Sequence, residues 1–308
     1  MKETTVQIEG VATENPELNL PPETVLRFEA KQFLVSPVVK HDSLCNPHLF
    51  LGAILAVSFP DARYNNVLGS AIMVAPGIAI TAAHVLQQCL DDVMSENCGT
   101  VCWGLDGDRM DIWRIRHVTF GAPGSSDLAV LSLELSSAIP EDRTFNFASI
   151  STRTPALGEP LILLGYRQSD DPEQSPERDH RQIEARMFMS SGNVAEHHPR
   201  GRDQLLLPGP CLQVDCHTVG GMSGGPVFDE QGWLVGILSS GLDGGPSWVS
   251  QVWPALCWGV RDGWPAAAMA GDRRLLDLDR LVSIDRREAL SDVFENGVIR
   301  RTEYRTWS

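Results

Sequence analysis

Short apolar segments recur from Leu51 to about residue 260, each bounded by glycine, proline or polar residues. Apolar runs of about four to eight residues between turn signals predict β-strands, since buried helices need roughly ten or more residues. A Pro76-Gly77 pair between two of these runs marks a tight turn. The pattern therefore favours an all-β fold built as an antiparallel barrel or sandwich.

The predicted strands form two groups of similar size, which suggests two barrels side by side. The first group covers 53–59, 67–74, 78–81, 101–103, 113–120 and 128–133, and the second covers 161–166, 183–193, 211–215, 226–228, 234–239 and 248–252. We therefore divide the chain into an N-terminal arm (1–48), a first barrel (49–150), a second barrel (151–262) and a C-terminal helical extension (263–308).

The last region is predicted to contain a helix over residues 286–296. Asp285 would cap it and Gly297 would end it. Its apolar face would consist of Ala289, Leu290, Val293 and Phe294. Residues 169–182 carry many charges and prolines and no apolar face, so they predict an exposed loop.

The composition excludes several classes of function. Of the residues, 43% are hydrophobic and 21% are charged, which is ordinary for a globular protein. The formal net charge of −15 argues against a nucleic-acid-binding surface. Since no apolar run reaches about 18 residues, we expect no membrane partner. The polar, acidic N-terminus does not resemble a secretory signal.

Seven cysteines without a secretory signal predict reduced thiols and a cytoplasmic location. Cys98, Cys102, Cys211 and Cys216 could form a zinc site, although their spacing is loose for one. The adjacent His197 and His198 are the remaining support for a metal-dependent hydrolase. Buried, inert thiols are the default expectation, so we predict neither a metal nor a cofactor.

Three segments contain residues suited to nucleophilic catalysis. Gly69-Ser70 leads through a predicted hairpin to Thr81-Ala82-Ala83-His84, whose small residues allow a sharp turn beside the imidazole. Asp127 opens a strongly apolar strand. Ser223 lies in the run GGMSGGP, residues 220–226, where glycines allow backbone conformations that a Cβ would forbid and can expose the hydroxyl and successive N–H groups.

Together these segments resemble the chymotrypsin/trypsin superfamily of serine peptidases. The resemblance rests on TAAH, on GMSGGP and on the order His, Asp, Ser, and it covers roughly residues 51–260. The run from Gly232 to Gly241 also resembles the strand that lines the family's substrate cleft. The family fold would be two six-stranded antiparallel β-barrels. Within the superfamily, the sequence most resembles intracellular or bacterial trypsin-like peptidases of the HtrA type.

The resemblance implies a role for each matched residue. Ser223 would be the nucleophile, His84 the general base and acid, and Asp127 the residue that orients the histidine. The backbone N–H groups of Gly221 and Ser223 would form the oxyanion hole. Substrate contacts are expected at these matched positions: His217, Thr218, Ser239, Ser240 and Gly241.

This sequence departs from the family pattern at several points. Met222 replaces the aspartate that, in secreted digestive members, pairs with a new N-terminus, so activation by that route is not expected. Val85 replaces the cysteine of secreted relatives. The residues after the second barrel are too few for the PDZ domain of HtrA enzymes. No aspartate stands at His217, the pocket-base position, so a preference for Arg or Lys is not supported.

The sequence therefore predicts a serine endopeptidase that makes limited cuts in a protein or peptide substrate. The alternative is a non-catalytic or latent binding module on the same fold. A latent form would need an activating partner protein, because Met222 leaves the oxyanion loop without the family's charged anchor.

Overall fold

The computed structural model describes residues 5–12, 24–31, 43–45, 50–60, 65–87, 89–95, 98–106, 109–137, 145–168, 185–241, 245–261, 263–264, 273–278 and 280–305. The predicted exposed loop at 169–182 lies outside these residues. In the described part of the chain, no helix is both long enough and apolar enough to cross a membrane.

Six antiparallel strands close the first barrel. They are β4 Ile54–Pro60, β5 Asn65–Ala75, β6 Ile78–Thr81, β7 Val101–Asp106, β8 Arg109–Phe120 and β9 Ala129–Leu135. Their order around the barrel is β4-β5-β6-β9-β8-β7, and β7 pairs with β4 to close it. Gly77 has a φ of +59° and makes the tight turn from β5 to β6, as the Pro-Gly pair predicts. Two short helices, α1 Ala83–Gln87 and α2 Leu90–Val93, follow β6.

The second barrel also has six antiparallel strands. They are β11 Pro160–Gln168, β12 Ala185–His198, β13 Cys211–Asp215, β14 Pro226–Asp229, β15 Leu234–Gly241 and β16 Ser247–Gln251. Their order is β14-β11-β12-β13-β16-β15, and a β14–β15 pairing closes the circle. The structure thus confirms the predicted chymotrypsin-like pair of six-stranded barrels.

The two barrels meet along β5 and β11. The N–H of Tyr166 on β11 donates to Ser70 Oγ on β5 at 2.7 Å. Near the other end of the same contact, the N–H of Val67 donates to Gln168 Oε1 at 3.2 Å. A backbone donor of each barrel is therefore satisfied by a side chain of the other, which holds the two barrels in one orientation.

Part of the predicted N-terminal arm is strand. β1 Thr5–Ala12 and β2 Thr24–Lys31 form an antiparallel hairpin. β3 Ser43–Cys45 pairs with the N-terminal part of β12 and so extends the sheet of the second barrel. The short strand β10 Ile150–Ser151, which links the barrels, runs parallel to β15 and to β19 Ile284–Asp285.

The prediction of a C-terminal helix over 286–296 is wrong. The structure has a single 3₁₀ turn, Arg287–Ala289, followed by a β-hairpin of β20 Leu290–Glu295 and β21 Val298–Tyr304. Asn296 and Gly297 connect the strands with φ values of +54° and +77°. Two consecutive positive φ angles make the twisted turn that suits a hairpin, and Asn-Gly is the pair that adopts it most readily. Gly297 therefore belongs to a hairpin turn and does not end a helix.

An arginine is one of the contacts between the hairpin and the body of the molecule, and Tyr304 on β21, which stacks on Trp253, is another. Arg274 lies on β18 Arg273–Arg274, which pairs with β17 Gly259–Val260. Its guanidinium donates to Asp277 and, on β20, to Asp292, each at 2.8 Å. Phe294, which the helical prediction placed on a buried face, is 63% exposed near the hairpin turn.

Candidate active site

Strand pairing in the first barrel brings His84 and Asp127 together. The last residue of β6, Thr81, pairs with Ala129, the first residue of β9. His84 follows β6 by three residues in the first turn of α1, and Asp127 precedes β9 by two. Because the strands are antiparallel, the end of one lies beside the start of the other. Two residues far apart in sequence therefore meet at one edge of the barrel.

The carboxylate of Asp127 accepts two hydrogen bonds from His84. His84 Nδ1 lies 2.8 Å from Asp127 Oδ2, and the backbone N–H of His84 donates to Oδ1 at 3.0 Å. The Asp127 side chain is only 8% exposed, whereas that of His84 is 35% exposed. A neutral histidine that donates from Nδ1 keeps its Nε2 unprotonated and able to accept a proton. The pair therefore presents a partly exposed base backed by a buried carboxylate.

Glycines place Ser223 against the first barrel. The Ser223 carbonyl accepts the N–H of Ser70 at 2.8 Å. An ideal Cβ on Gly224, whose φ is +82°, would lie 2.1 Å from the Ser70 carbonyl oxygen. A Cβ on Gly225 would lie 1.8 Å from the Leu164 carbonyl oxygen. Both positions must therefore be glycine for the serine loop to fit into the groove between the barrels.

A tight turn precedes the serine and exposes two backbone donors. The N–H of Met222 donates to the Val219 carbonyl at 3.3 Å, and Gly221 has a φ of +97°. This is the geometry of a type II turn, which requires a positive φ at its third residue. In the part of the chain that the structure describes, the N–H groups of Gly221 and Ser223 donate to no acceptor. They stay available to bind a developing oxyanion.

The Ser223 hydroxyl points to a neighbouring strand. It donates to the Ser239 carbonyl on β15 at 3.2 Å, and no hydrogen bond joins the described side chains of Ser223 and His84. Catalytic hydrogen bonds in substrate-free sites are often long or misaligned and tighten only in the complex. Ser223 and His84, the candidate nucleophile and base, therefore lie at the same groove, but the Ser223 hydroxyl points toward Ser239 and not toward His84.

Of the predicted substrate-contact residues, Ser239 contacts this serine directly through its carbonyl. Ser239 Oγ is hydrogen-bonded to Ser250 Oγ at 2.8 Å, and Thr218 Oγ1 lies 2.8 Å from Ser247 Oγ. Thr218 also packs against Gly241, because an ideal Cβ there would lie 2.4 Å from Thr218 Oγ1. Ser240 and His217, which lie next to these residues in the chain, are half-buried.

The alternative metal sites gain no support from the geometry. Among the described residues, no three His, Cys, Asp or Glu side chains are grouped so that they could hold a metal ion. His197 Nε2 lies 2.7 Å from the Pro155 carbonyl oxygen. Burial raises the pKa of the Cys98 thiol to about 11 and also raises that of Cys102. A raised pKa keeps a thiol protonated near neutral pH and so lowers its reactivity.

Two residues important to the site were given no role there from the sequence, although Ser70 was named at the start of the histidine motif. Ser70 is fully buried, and its carbonyl accepts the Thr81 hydroxyl at 2.6 Å. Its N–H donates to the Ser223 carbonyl and its Oγ accepts the Tyr166 N–H, so both groups bond to the second barrel. Gly165 leaves the space beside Met222, where its own Cβ would lie 2.8 Å from Met222 Cβ. A buried serine within the apolar run of β5 was the available signal for Ser70, whereas Gly165 offered none.

Comparison with known proteins adds a family match. A family model for the trypsin-like peptidase domain matches residues 69–237, which is more than half of the 308-residue chain. The matched range includes His84, Asp127 and Ser223. No curated protein is similar enough to this chain to count as a relative.

Two solved structures illustrate how far the likeness to known proteins extends. One, described as the crystal structure of Deg5, has a TM-score of 0.44 and 16% sequence identity, and the alignment covers 66% of this chain and 84% of that one. The other, described as the inactive form of the Rv3671c protease, has a TM-score of 0.39 and 14% identity, with 66% and 85% covered.

Proposed function

Since this chain belongs to the trypsin-like peptidase family, we propose that it is a serine endopeptidase that cleaves peptide bonds through an acyl-enzyme. The observation that carries the proposal is the 2.8 Å contact between His84 Nδ1 and Asp127 Oδ2 at the groove that also holds Ser223. A base oriented by a buried carboxylate beside a glycine-flanked serine is the arrangement that acyl transfer requires.

Acylation would begin when the Ser223 hydroxyl turns from the Ser239 carbonyl toward His84. His84 Nε2 accepts the hydroxyl proton as Oγ attacks the scissile carbonyl carbon, and a tetrahedral oxyanion forms. The imidazolium then gives that proton to the leaving amine, the C–N bond breaks and an ester to Ser223 remains. Asp127 stabilises the imidazolium and does not itself accept the proton.

Deacylation would use the same groups in the reverse roles. His84 takes a proton from a water molecule as the water oxygen attacks the ester carbonyl, and it returns the proton to Ser223 Oγ as the ester breaks. The carboxylic acid product then leaves. The N–H groups of Gly221 and Ser223 would bind the oxyanion in both halves, and removing one such donor costs about 2.7–4 kcal/mol of transition-state stabilisation.

The edge of β15 would bind the substrate as an added strand. β14 pairs with β15 only as far as Ile237, whereas β16 pairs with it as far as Gly241. In the described structure, Ser240 and Gly241 therefore have a strand partner on one side only, and Ser239 lies at a bulge beside them. An extended peptide could add at the free side, next to Ser223. We propose a protein or peptide substrate, cut at a limited number of positions.

A latent or non-catalytic form is the second candidate, because the Ser223 hydroxyl bonds Ser239 and not His84. In a latent enzyme, an activating partner protein would raise turnover by promoting the catalytic rotamer of Ser223. We also propose a cytoplasmic setting, supported by free thiols at Cys89, Cys98, Cys102, Cys211, Cys216 and Cys257.

The deciding experiment is labelling with a fluorophosphonate probe together with a peptide-library cleavage profile. We expect wild-type protein to be labelled, and Ser223→Ala and His84→Ala each to lower kcat by about 10⁶-fold. Ser95→Ala, which changes an exposed serine, serves as the control and should keep full activity. A wild-type protein that neither labels nor cleaves, with or without added cell extract, would support the non-catalytic binding module.

A further inference from the structure

Met222, the residue before the candidate nucleophile, is completely buried. Its exposed fraction is 0%, and its side chain lies in the apolar core of the second barrel. That core includes residues from four of the barrel's strands: Leu161, Leu163, Leu212, Val227 and Leu238. A flexible thioether side chain fills irregular space in such a core well. Met222 therefore fastens the serine loop to the interior of the barrel on which it lies.

The neighbouring strand is shaped to receive this residue. An ideal Cβ on Gly165 of β11 would lie 2.6 Å from the Met222 carbonyl oxygen and 2.7 Å from its Cα. Real Cβ atoms do not approach other atoms so closely, so only glycine leaves room for Met222 to lie against β11 at this point. The close approach is a second observation, independent of burial, that the position of Met222 is tightly defined.

Met222 is also central to the turn that exposes the two oxyanion donors. Its N–H donates to the Val219 carbonyl at 3.3 Å, and its own carbonyl accepts the N–H of Gly225 at 3.0 Å. The N–H groups of Gly221 and Ser223 lie on either side of it in sequence. Any rotation of the backbone at Met222 would turn at least one of these two donors away.

We propose that Met222 is a positioning residue, an apolar anchor that holds the oxyanion turn in its active form as soon as the barrel folds. The proposal rests on the proposed peptidase function and explains how the oxyanion donors of that active site are positioned. A buried charged anchor would need a counter-ion and could be switched by supplying one. A buried thioether needs none, so the oxyanion donors of this protein are set by folding and require no separate activation step.

The test compares two cavities in the same core. Met222→Ala and Leu212→Ala each remove an equally buried apolar side chain from this core, but Leu212 lies on β13 and outside the serine loop. We expect both to lower the urea midpoint of unfolding by a similar amount. Met222→Ala alone should lower kcat, by about 10²-fold, with KM changed less than about threefold, because the donors act on the transition state.

The conservative variant Met222→Leu should restore kcat to within about threefold of wild type, since it refills the same space. If Met222→Ala does not fold, Met222→Val provides the same comparison with a smaller cavity. Equal losses of kcat in the methionine and Leu212→Ala variants, with an active wild type, would overturn the anchor and leave the peptidase function intact.

A readout that needs no activity separates the two proposals. Amide hydrogen exchange at position 222 and at Gly225, whose N–H groups are hydrogen-bonded within the turn, should be at least about tenfold faster in Met222→Ala than in Leu212→Ala, because loss of the anchor opens these hydrogen bonds. An inactive wild type would contradict the peptidase function, and this comparison would still decide the anchor. Identical exchange in the two variants would overturn it.

Discussion

At the scale of single residues, the Asp127 carboxylate accepts two different hydrogen bonds from His84, one from the imidazole and one from the backbone. Asp127→Asn keeps one oxygen acceptor but can present an amide N–H to Nδ1. That contact favours the histidine tautomer in which Nε2 carries the proton and cannot act as a base. We expect kcat for a peptide amide substrate to fall about 10⁴-fold with KM little changed.

The steady-state rates should be measured on protein with wild-type circular dichroism. A loss smaller than about tenfold would show that Asp127 does not select the tautomer of His84.

The glycines around Ser223 are not equivalent. Gly224 has a φ of +82° and its Cβ would lie 2.1 Å from the Ser70 carbonyl oxygen, whereas a Cβ on Gly220 would meet no atom within 4 Å. We expect Gly224→Ala to abolish labelling by the fluorophosphonate probe, because the serine loop must leave the groove or strain its backbone. Gly220→Ala, in the same motif, is the matched control and should retain labelling within about threefold.

At the scale of elements, Arg274 and its two carboxylate partners, Asp277 and Asp292, contribute to the attachment of the C-terminal hairpin. The Arg274 guanidinium holds the pKa of Asp277 and of Asp292 below the ordinary range, chiefly through hydrogen bonds to the two carboxylates. A lowered folded-state pKa contributes stability above the ordinary carboxyl pKa of about 3.9, and that contribution is lost as the pH falls through the lowered value. Acid should therefore weaken this attachment selectively.

We expect Arg274→Met to lower the free energy of unfolding by about 1 kcal/mol at pH 6. The expected loss is small because the Asp277 side chain is 41% exposed, so solvent screens the ion pair. The difference from wild type should shrink as the pH falls below about 4. Urea unfolding between about pH 2.5 and about pH 7 measures this difference. Arg300→Met, which removes an exposed pair with Glu295 on the same hairpin, should show almost no effect at any pH.

At the scale of the whole molecule, Ser70 joins the two barrels. Its Oγ accepts the Tyr166 N–H across the contact, and its N–H donates to the Ser223 carbonyl. Ser70→Ala leaves a buried N–H without its acceptor, which costs about 1–3 kcal/mol of the free energy of unfolding. Because the same strand holds the serine loop, kcat should fall as well.

Ser137→Ala is the matched control for that prediction. Ser137 Oγ accepts the Ile112 N–H at 2.7 Å, but both residues belong to the first barrel. We expect this change to lower the unfolding midpoint in denaturant and to leave kcat unchanged. If both variants affect only stability, Ser70 does not couple the barrel contact to the active site.

Local signals in the chain were enough to predict most strands. Those at 78–81 and 211–215 have the same bounds in the structure, because apolar runs between turn residues report burial directly. The C-terminal hairpin was missed since its apolar residues also fit a helical period. Only the pairing of β20 with β21, together with the Arg274 contacts to β20, decides between the two.

The sequence by itself determined the two groups of strands and the identity of the candidate serine, histidine and aspartate, because each depends on residues close together in the chain. Tertiary structure alone decided that Thr81 pairs with Ala129, that Gly165 makes room for Met222 and that Ser70 bonds the other barrel. These contacts join segments far apart in sequence, and steric fit in three dimensions selects them, which no short pattern of residues records.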